Sequence, residues 1–142
     1  MKLKEIMTPN VEVIHPDDSL QIAARKMRDN DIGILPVCDG DRLIGIISDR
    51  DLAIRGLAEG KDATTMIGRD LMTSPVMCCD EDQDVTEAAQ IMQENQIRRL
   101  IVLNSSKRMV GVVSLGDLAV NDNSDHLSGK VLQSVSEPVA VK

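Results

Sequence analysis

Aromatic residues are absent from this chain. Its 142 residues include no phenylalanine, tyrosine or tryptophan, although 42% of them are hydrophobic. The core must therefore consist of isoleucine, leucine, valine, alanine and the eight methionines. A bound purine would have no aromatic ring on which to stack, so it would have to lie between aliphatic surfaces or guanidinium planes.

Basic charge and long apolar runs are also scarce. The chain has 16 basic and 23 acidic residues and a net charge of -7, which disfavours nucleic acid or an anionic membrane as its main partner. No run of 18 apolar residues occurs, and the N-terminal MKLKEIMTP has no apolar stretch of signal-peptide length. We therefore expect a cytoplasmic protein without a membrane partner.

Signatures of metal binding and catalysis are missing as well. Cys38 stands alone and Cys78 and Cys79 are adjacent, so the chain has no CxxC spacing, and we expect buried thiols and no metal site. There is no HExxH, no GxxxxGK[ST] and no Ser/His/Asp or Cys/His set that we can defend. We therefore predict no catalytic residues and no enzyme activity.

An internal repeat organises the chain. The segment IMTPNVEVIHPDDSLQIAARKMRDNDIGILPVCDGDRLIGIISDRDL matches LMTSPVMCCDEDQDVTEAAQIMQENQIRRLIVLNSSKRMVGVVSLGDL, with one extra residue in NSSKR relative to DGDR. The predicted organisation is a first repeat at 6–58, a linker at 59–70, a second repeat at 71–121 and a helical tail at 122–142. In the tail, Leu127, Val131, Leu132 and Val135 recur at helical spacing, and we expect it to cap the module.

The two repeats predict the same order of elements, β-α-β-β-α. Residues 11–14 and 76–79 are short extended runs, followed by HPDDS and DEDQD, which can cap a helix. The helices are predicted from apolar residues at i, i+3, i+4 and i+7, which are Leu20, Ala23, Ala24 and Met27 in the first repeat and Val85, Ala88, Ala89 and Met92 in the second. A hairpin of two apolar runs and a second helix complete each repeat, so the fold class is α/β (α+β).

This repeat resembles a known family. M-T at its start, P-V at the end of its second strand and G-h-h-S-x-x-D-L at its end, where h is apolar, resemble the CBS domain, named after cystathionine β-synthase. The resemblance implies a stand-alone CBS pair of bacterial or archaeal type, in which two repeats pack with pseudo-twofold symmetry and two modules commonly stack as a homodimer. The second repeat departs from the family pattern at two positions, where Ile101 and Ser74 stand in place of Pro36 and Pro9 of the first repeat.

The resemblance also implies a function. CBS pairs bind adenosine-containing ligands in the clefts between repeats, so we expect a non-catalytic module that requires no cofactor and responds to AMP, ADP or ATP as a regulatory ligand. An unidentified protein partner would respond to the change in orientation. The alternatives are a sensor of S-adenosylmethionine and a purely structural dimerisation module with empty pockets.

The repeated serine and aspartate suit the two halves of a nucleotide. Ser48 precedes a helix and can donate its hydroxyl to a phosphate, while Asp51 offers two acceptor oxygens to a ribose diol. Ser114 and Asp117 are their counterparts. S-x-x-D is equally the pattern of a capping box, and the two roles can coexist, with capping in the empty protein and ligand contacts in the occupied one.

The repeats differ where a phosphate would be bound. Arg98 and Arg99 of the second repeat replace Gly33 and Ile34, and arginine grips phosphate oxygens in pairs. The regulatory gamma subunit of AMP-activated protein kinase has a basic pair at the equivalent place, which implies a phosphate-binding role here. Adjacent strand residues face opposite sides, so we expect one of the two arginines to matter more.

Four further residues are candidate ligand contacts. Arg50 lies within SDRD and can equally face solvent, and the matched Thr8 and Thr73 follow the methionine at the start of each repeat. His15 lies at a corner where the family often lines the adenine pocket, although a surface turn is the simpler interpretation.

Overall fold

The computed structural model describes residues 1–121 and 125–138, so parts of the predicted tail, residues 122–124 and 139–142, lie outside it. The chain divides into two compact units. We call residues Val11–Val76 the first-repeat unit, and Met1–Asn10 together with Met77–Lys142 the second-repeat unit. Among the described residues, no helix is both long and apolar enough to cross a bilayer.

The elements of the second-repeat unit are β1 (Thr8–Pro9), β4 (Cys78–Asp80), α4 (Val85–Asn95), β5 (Arg99–Leu103), β6 (Met109–Ser114), α5 (Leu115–Asn121) and α6 (Asp125–Ser136), preceded by a 3-10 helix at Leu3–Glu5. The strands form one sheet in the order β1-β6-β5-β4. Strands β4 and β5 are parallel, and the other neighbours are antiparallel. Helix α6 packs on α4 and α5 and buries Val131 in the core of this unit.

The first-repeat unit has the same order of helices and strands, but the outer strands of its sheet are shorter. Its hairpin is β2 (Ile34–Asp39) with β3 (Arg42–Ser48), and its helices are α1 (Leu20–Asn30), α2 (Asp49–Asp51) and α3 (Gly68–Leu71). Helix α2 continues as wider π-helical turns over Leu52–Leu57. The outer strands are reduced to single bridges, one between Ile14 and Val37 and one between Ile46 and Thr73.

The predicted helical stripes are confirmed. In α1, Ala23 and Met27 are buried, and Leu20 and Ala24 pack against the same cluster; in α4, Ala88, Ala89 and Met92 are fully buried. Ser19 and Asp84 cap these helices, since their side chains accept from the backbone N–H of Ile22 and Thr86. The acidic corners therefore start the helices as their sequences predict.

One predicted strand is wrong. Residues 11–14 form no strand, because only Ile14 reaches the hairpin, where it accepts from Cys38 at 2.8 Å and donates to Pro36 at 3.0 Å. Pro16 follows two residues later and has no N–H with which to extend the ladder. The matching run at 76–79 does form a strand, displaced by one or two residues to β4.

The extra residue of the second hairpin is absorbed in its turn. In the first hairpin, Asp39 pairs with Arg42, and Gly40 adopts a φ of 61° in the two-residue turn between them. In the second hairpin, the side chain of Asn104 accepts from the backbone of Ser106 and Arg108, and Lys107 adopts a φ of 64°. Side-chain hydrogen bonds thus close the longer turn.

Candidate functional site

Each serine and aspartate of the repeated motif forms a reciprocal cap at the start of a helix. The Ser48 hydroxyl accepts from Asp51 N–H at 3.1 Å, and Asp51 Oδ2 accepts from Ser48 N–H at 2.8 Å. In the second repeat, the corresponding distances between Ser114 and Asp117 are 3.0 and 2.8 Å. The capping interpretation of S-x-x-D is therefore confirmed for both copies.

These caps leave polar atoms available for a ligand. Each serine hydroxyl accepts in the cap, so its hydrogen can still be donated, and each aspartate uses Oδ2, which leaves Oδ1. Oδ1 of Asp51 lies 3.8 Å from Arg55 Nε. Within the described part of the chain, no cation lies at ion-pair distance from Asp117. The second-repeat carboxylate is thus the less engaged of the two.

A groove of about 560 Å³ opens at this point in the second-repeat unit. Its polar end is built from the start of β5, the end of β6 and the first turn of α5, and its apolar side is completed by α6. The lining residues are Arg98, Arg99, Ser114, Leu115, Gly116, Ala119, Ser128, Gly129 and Leu132.

Both arginines line this groove. Strand alternation does not separate them, because β5 begins only at Arg99 and Arg98 lies before it, so a larger role for one of the two stays a prediction. Both side chains are exposed, and among the described residues neither has an acidic partner within ion-pair distance. The groove therefore carries two uncompensated positive charges on a chain whose net charge is -7.

One residue that lines the groove, Gly116, has a backbone donor at the start of α5 that is unpaired within the described part of the chain. The N–H of Leu115 donates to Arg98 O at 2.8 Å, and that of Asp117 donates to Ser114 Oγ at 3.0 Å. For Gly116, in the second helical position, no acceptor is found among the described residues, as is typical of an uncapped N–H in a first turn. Glycine has no side chain to cover this donor.

The two threonines lie beside the serines of their own units. Thr8 pairs with Val112, two residues before Ser114, and Thr73 pairs with Ile46, two residues before Ser48. Both threonines are exposed. Because residues i and i+2 of a strand share a face, each threonine is adjacent to the face that ends in the serine.

The remaining candidates lie in the first-repeat unit. Arg50 is exposed in the first turn of α2. His15 is exposed in a turn, where its Nδ1 accepts from Asp17 N–H at 3.1 Å and its Nε2 lies 3.5 Å from Asp39 Oδ1. The His15 ring thus contacts Asp17 and Asp39, and these contacts do not include Ser48 or Asp51.

No cysteine is among the residues that line the groove. Burial, with smaller effects of Cys78 and Glu87, raises the pKa of Cys79 to about 11, and burial also raises the pKa of the half-buried Cys38 and Cys78. Cys78 and Cys79 line a separate cavity of about 360 Å³ with Asp80 and Lys107. Within residues 1–121 and 125–138, no cluster of three potential metal ligands occurs.

Sequence reasoning missed two contributors to the groove. Helix α6 supplies Ser128 and Gly129, and the first turn of α5 supplies Gly116. The available signal was the pair of small residues inside an otherwise apolar helical stripe, since small side chains leave space beside a helix.

Comparison with known proteins identifies the family. The family model described as CBS domain matches residues 3–56 and 67–122. The CBS domain-containing protein YhcV of Bacillus subtilis is 34% identical over 134 residues, which cover 94% of both chains.

Solved structures agree with this assignment. A conserved CBS domain protein of Thermoplasma acidophilum, TA0289, superposes with a TM-score of 0.82 at 27% identity and covers 94% of this chain and 75% of its own. CBSX2 in complex with AMP gives 0.70 at 25% identity, with coverage of 84% and 93%. The CBS pair of MJ0100, in complex with 5-methylthioadenosine and S-adenosyl-L-methionine, gives 0.75 at 28% identity, with coverage of 84% and 94%. Both repeats match the family model and the fold matches CBS pairs, so the chain belongs to the CBS domain family and contains two CBS repeats.

Proposed function

We propose that this chain is a non-catalytic regulatory module that binds adenine nucleotides, AMP, ADP or ATP, through its second CBS repeat. The observation that carries the proposal is the convergence of Arg98, Arg99, Ser114 and Gly116 on one groove. Two guanidinium groups without acidic partners, a hydroxyl and a backbone N–H are the donors that a phosphate requires.

The same groove suits the other parts of a nucleotide. Asp117 is not one of the lining residues but directly follows one of them, Gly116; it caps α5 through one carboxylate oxygen and keeps the other for a ribose diol. Leu115, Ala119 and Leu132 supply the aliphatic surface that must replace aromatic stacking in a chain without aromatic residues. The AMP complex of CBSX2 supports this choice of ligand, because that protein shares the fold over 84% of this chain.

Roles for the other candidates follow from their places in the sheets. Thr8 and Thr73 are proposed to contact ligand beside Ser114 and Ser48, and Arg50 to act only in the first-repeat unit. His15 is the weakest candidate, because its ring is already engaged with Asp17 and Asp39.

S-adenosylmethionine is the second candidate ligand. The MJ0100 complex contains it, and it has an adenosine moiety without phosphate. A structural module with empty pockets is the remaining alternative, and it is consistent with capping boxes that are complete without ligand.

A ligand screen separates these possibilities. Thermal unfolding with AMP, ADP, ATP, NAD, S-adenosylmethionine and adenosine should show stabilisation by adenine nucleotides, because a ligand that binds only the folded state raises its melting temperature by mass action. Calorimetric titration should give a lower dissociation constant for AMP than for adenosine. Stabilisation by S-adenosylmethionine alone would select the second candidate, and no stabilisation by any ligand would select the structural module.

A further inference from the structure

The two repeats share the serine and aspartate of the cap but differ at both positions between them. Asp49 of the first repeat is replaced by Leu115 in the second, and Gly33 by Arg98. We infer that Asp49 is a specificity residue that prevents the first repeat from binding the phosphate of a nucleotide, so that each chain binds one phosphorylated ligand, at its second repeat. This inference rests on the proposed function and adds the number and chemistry of the ligands.

The carboxylate of Asp49 occupies the start of the helix that follows Ser48. Its Oδ1 accepts from the N–H of Arg50 at 2.8 Å, and its own N–H donates to Gly33 O at 2.8 Å. Because the Ser48 hydroxyl takes the third N–H, the first three backbone donors of this helix are all satisfied within the protein. In the second repeat, Leu115 cannot accept from Gly116, and that donor stays available.

The same carboxylate lies next to Gly33, the counterpart of Arg98, where the side chain of an arginine would begin. A Cβ placed on Gly33 would lie 3.0 Å from Asp49 Oδ2, which is closer than ordinary van der Waals contact. Gly33 leaves room for the Asp49 carboxylate where the structure places it, and the corresponding residues of the second repeat are Arg98 and the uncharged Leu115. Both differences make the first repeat less favourable for a phosphate. Glycine in place of Arg98 removes a positive charge, and aspartate in place of Leu115 adds a negative one.

Charge then decides which ligand each repeat accepts. Among the described residues, the exposed Asp49 has no ion-pair partner. The second-repeat groove has two arginines and no acidic lining residue. A phosphate within about 4–5 Å of a carboxylate is repelled strongly enough to lose tenfold or more in affinity. The first repeat is thus left to uncharged or cationic adenosine derivatives, a class that includes the sulfonium S-adenosylmethionine.

The decisive experiment transfers the carboxylate to the second repeat. Leu115→Asp should weaken AMP binding by about tenfold or more in calorimetric titration and leave adenosine binding within about threefold, because only AMP carries the repelled charge. Leu115→Asn is the matched control, since it loses the same apolar contacts and gains a side-chain acceptor without a charge. It should keep the preference for AMP over adenosine.

The stoichiometry of the unmodified protein provides an independent test. We expect one AMP per chain, and a second AMP in the variant Gly33→Arg/Asp49→Leu, which copies the second repeat into the first. Two equivalent AMP molecules per unmodified chain, or full AMP affinity in a folded Leu115→Asp variant, would overturn the inference and leave the proposed function intact. A chain that binds neither AMP nor adenosine would instead remove the proposed function itself.

Discussion

At the scale of single residues, the Ser-x-x-Asp pairs combine a structural and a proposed ligand-binding role in the same atoms. The cap uses the acceptor side of the hydroxyl and one carboxylate oxygen, and a nucleotide would use the hydroxyl hydrogen and the other oxygen. Folding and binding can therefore be separated only by comparing the two copies.

The two copies provide a matched pair of variants. Asp117→Ala and Asp51→Ala should each lower the free energy of unfolding by about 1 kcal/mol through the lost cap. Only Asp117→Ala should also weaken AMP binding by about tenfold to a hundredfold, because it removes a charged acceptor from the ribose. Denaturant unfolding and calorimetry measure the two effects. Unchanged AMP affinity in Asp117→Ala would mean that capping is its whole role.

The two arginines of the groove predict that the protein prefers AMP to adenosine because of the charge of the phosphate. Arg98→Ala and Arg99→Ala should each reduce the preference for AMP over adenosine and leave adenosine binding nearly unchanged, since both side chains line the groove. The preference of the unmodified protein should also shrink as salt rises. Arg50→Ala is the control, and it should leave AMP affinity unchanged, because Arg50 lies in the first-repeat unit. Equal affinities for AMP and adenosine in the unmodified protein would remove the phosphate role from both arginines.

The cap residue Asp84 predicts that the stability of the protein falls in acid. Hydrogen bonds from the Thr86 hydroxyl and backbone, with the amino group of Met1, lower the pKa of Asp84 to about 2. A pKa depressed by folding stabilises the native state above the unfolded-state value near 3.8, and this stability is lost as pH falls toward 2. The melting temperature should therefore fall between pH 4 and 2, over about the range set by these two values. Asp84→Asn should show a smaller fall, and an identical profile would contradict the assignment.

At the scale of elements, a single kind of contact explains why the repeat contains both M-T and G-h-h-S: the glycine of one motif packs against the methionine of the other. A Cβ on Gly111 would lie 2.7 Å from Thr8 O and 2.8 Å from Met7 Sδ, and a Cβ on Gly45 would overlap the side chain of Met72. The glycine of each hairpin thus makes room for the methionine of an M-T segment. The sequence contains both halves of this pairing, but nothing in it shows that they touch.

This contact predicts a cost for the smallest possible substitution. Gly111→Ala should lower the free energy of unfolding by about 1–3 kcal/mol through overpacking against a backbone oxygen. Gly129→Ala is the control, because nothing lies within 4 Å of its added methyl and alanine favours a helix. It should raise stability by up to about 1 kcal/mol in the same denaturant titration. Equal effects of the two substitutions would exclude the close approach as the cause.

How far the elements could be predicted depends on whether their signal is local. The stripes of α1 and α4 and their caps at Ser19 and Asp84 are set by neighbours within one turn, so the repeat reveals them. Residues 11–14 have a strand-like composition but meet the hairpin through Ile14 alone. The groove depends on α6 reaching α5, a contact that no spacing within α5 reveals.

At the scale of the whole molecule, exposed apolar side chains point to self-association. Leu57 and Val120 are 76% and 85% exposed, and Ile54 is 51% exposed. We predict that the chain forms a homodimer, because a second copy would remove these side chains from water. Light scattering at micromolar concentration should give the mass of two chains, and Leu57→Glu with Val120→Glu should give one. A monomeric unmodified protein, with and without nucleotide, would contradict this prediction.

The sequence repeats and the folded units have different boundaries. Thr8 and Pro9 belong to the sheet of the second-repeat unit, and Thr73 bridges to the hairpin of the first-repeat unit. Lys4 pairs with Asp82 at 3.0 Å, and its counterpart Arg69 pairs with Asp17 at 3.3 Å. Each repeat thus gives its opening segment to the unit built around the other repeat.

This exchange has a consequence for any attempt to isolate one repeat. A chain cut between the repeats, near residue 60, would leave Gly111 without Met7 and the edge of β6 without β1. Two copies of such a fragment could restore the missing contacts by lending their opening segments to each other, as in domain swapping. The isolated repeat should therefore be more dimeric, or less stable, than its length alone would suggest.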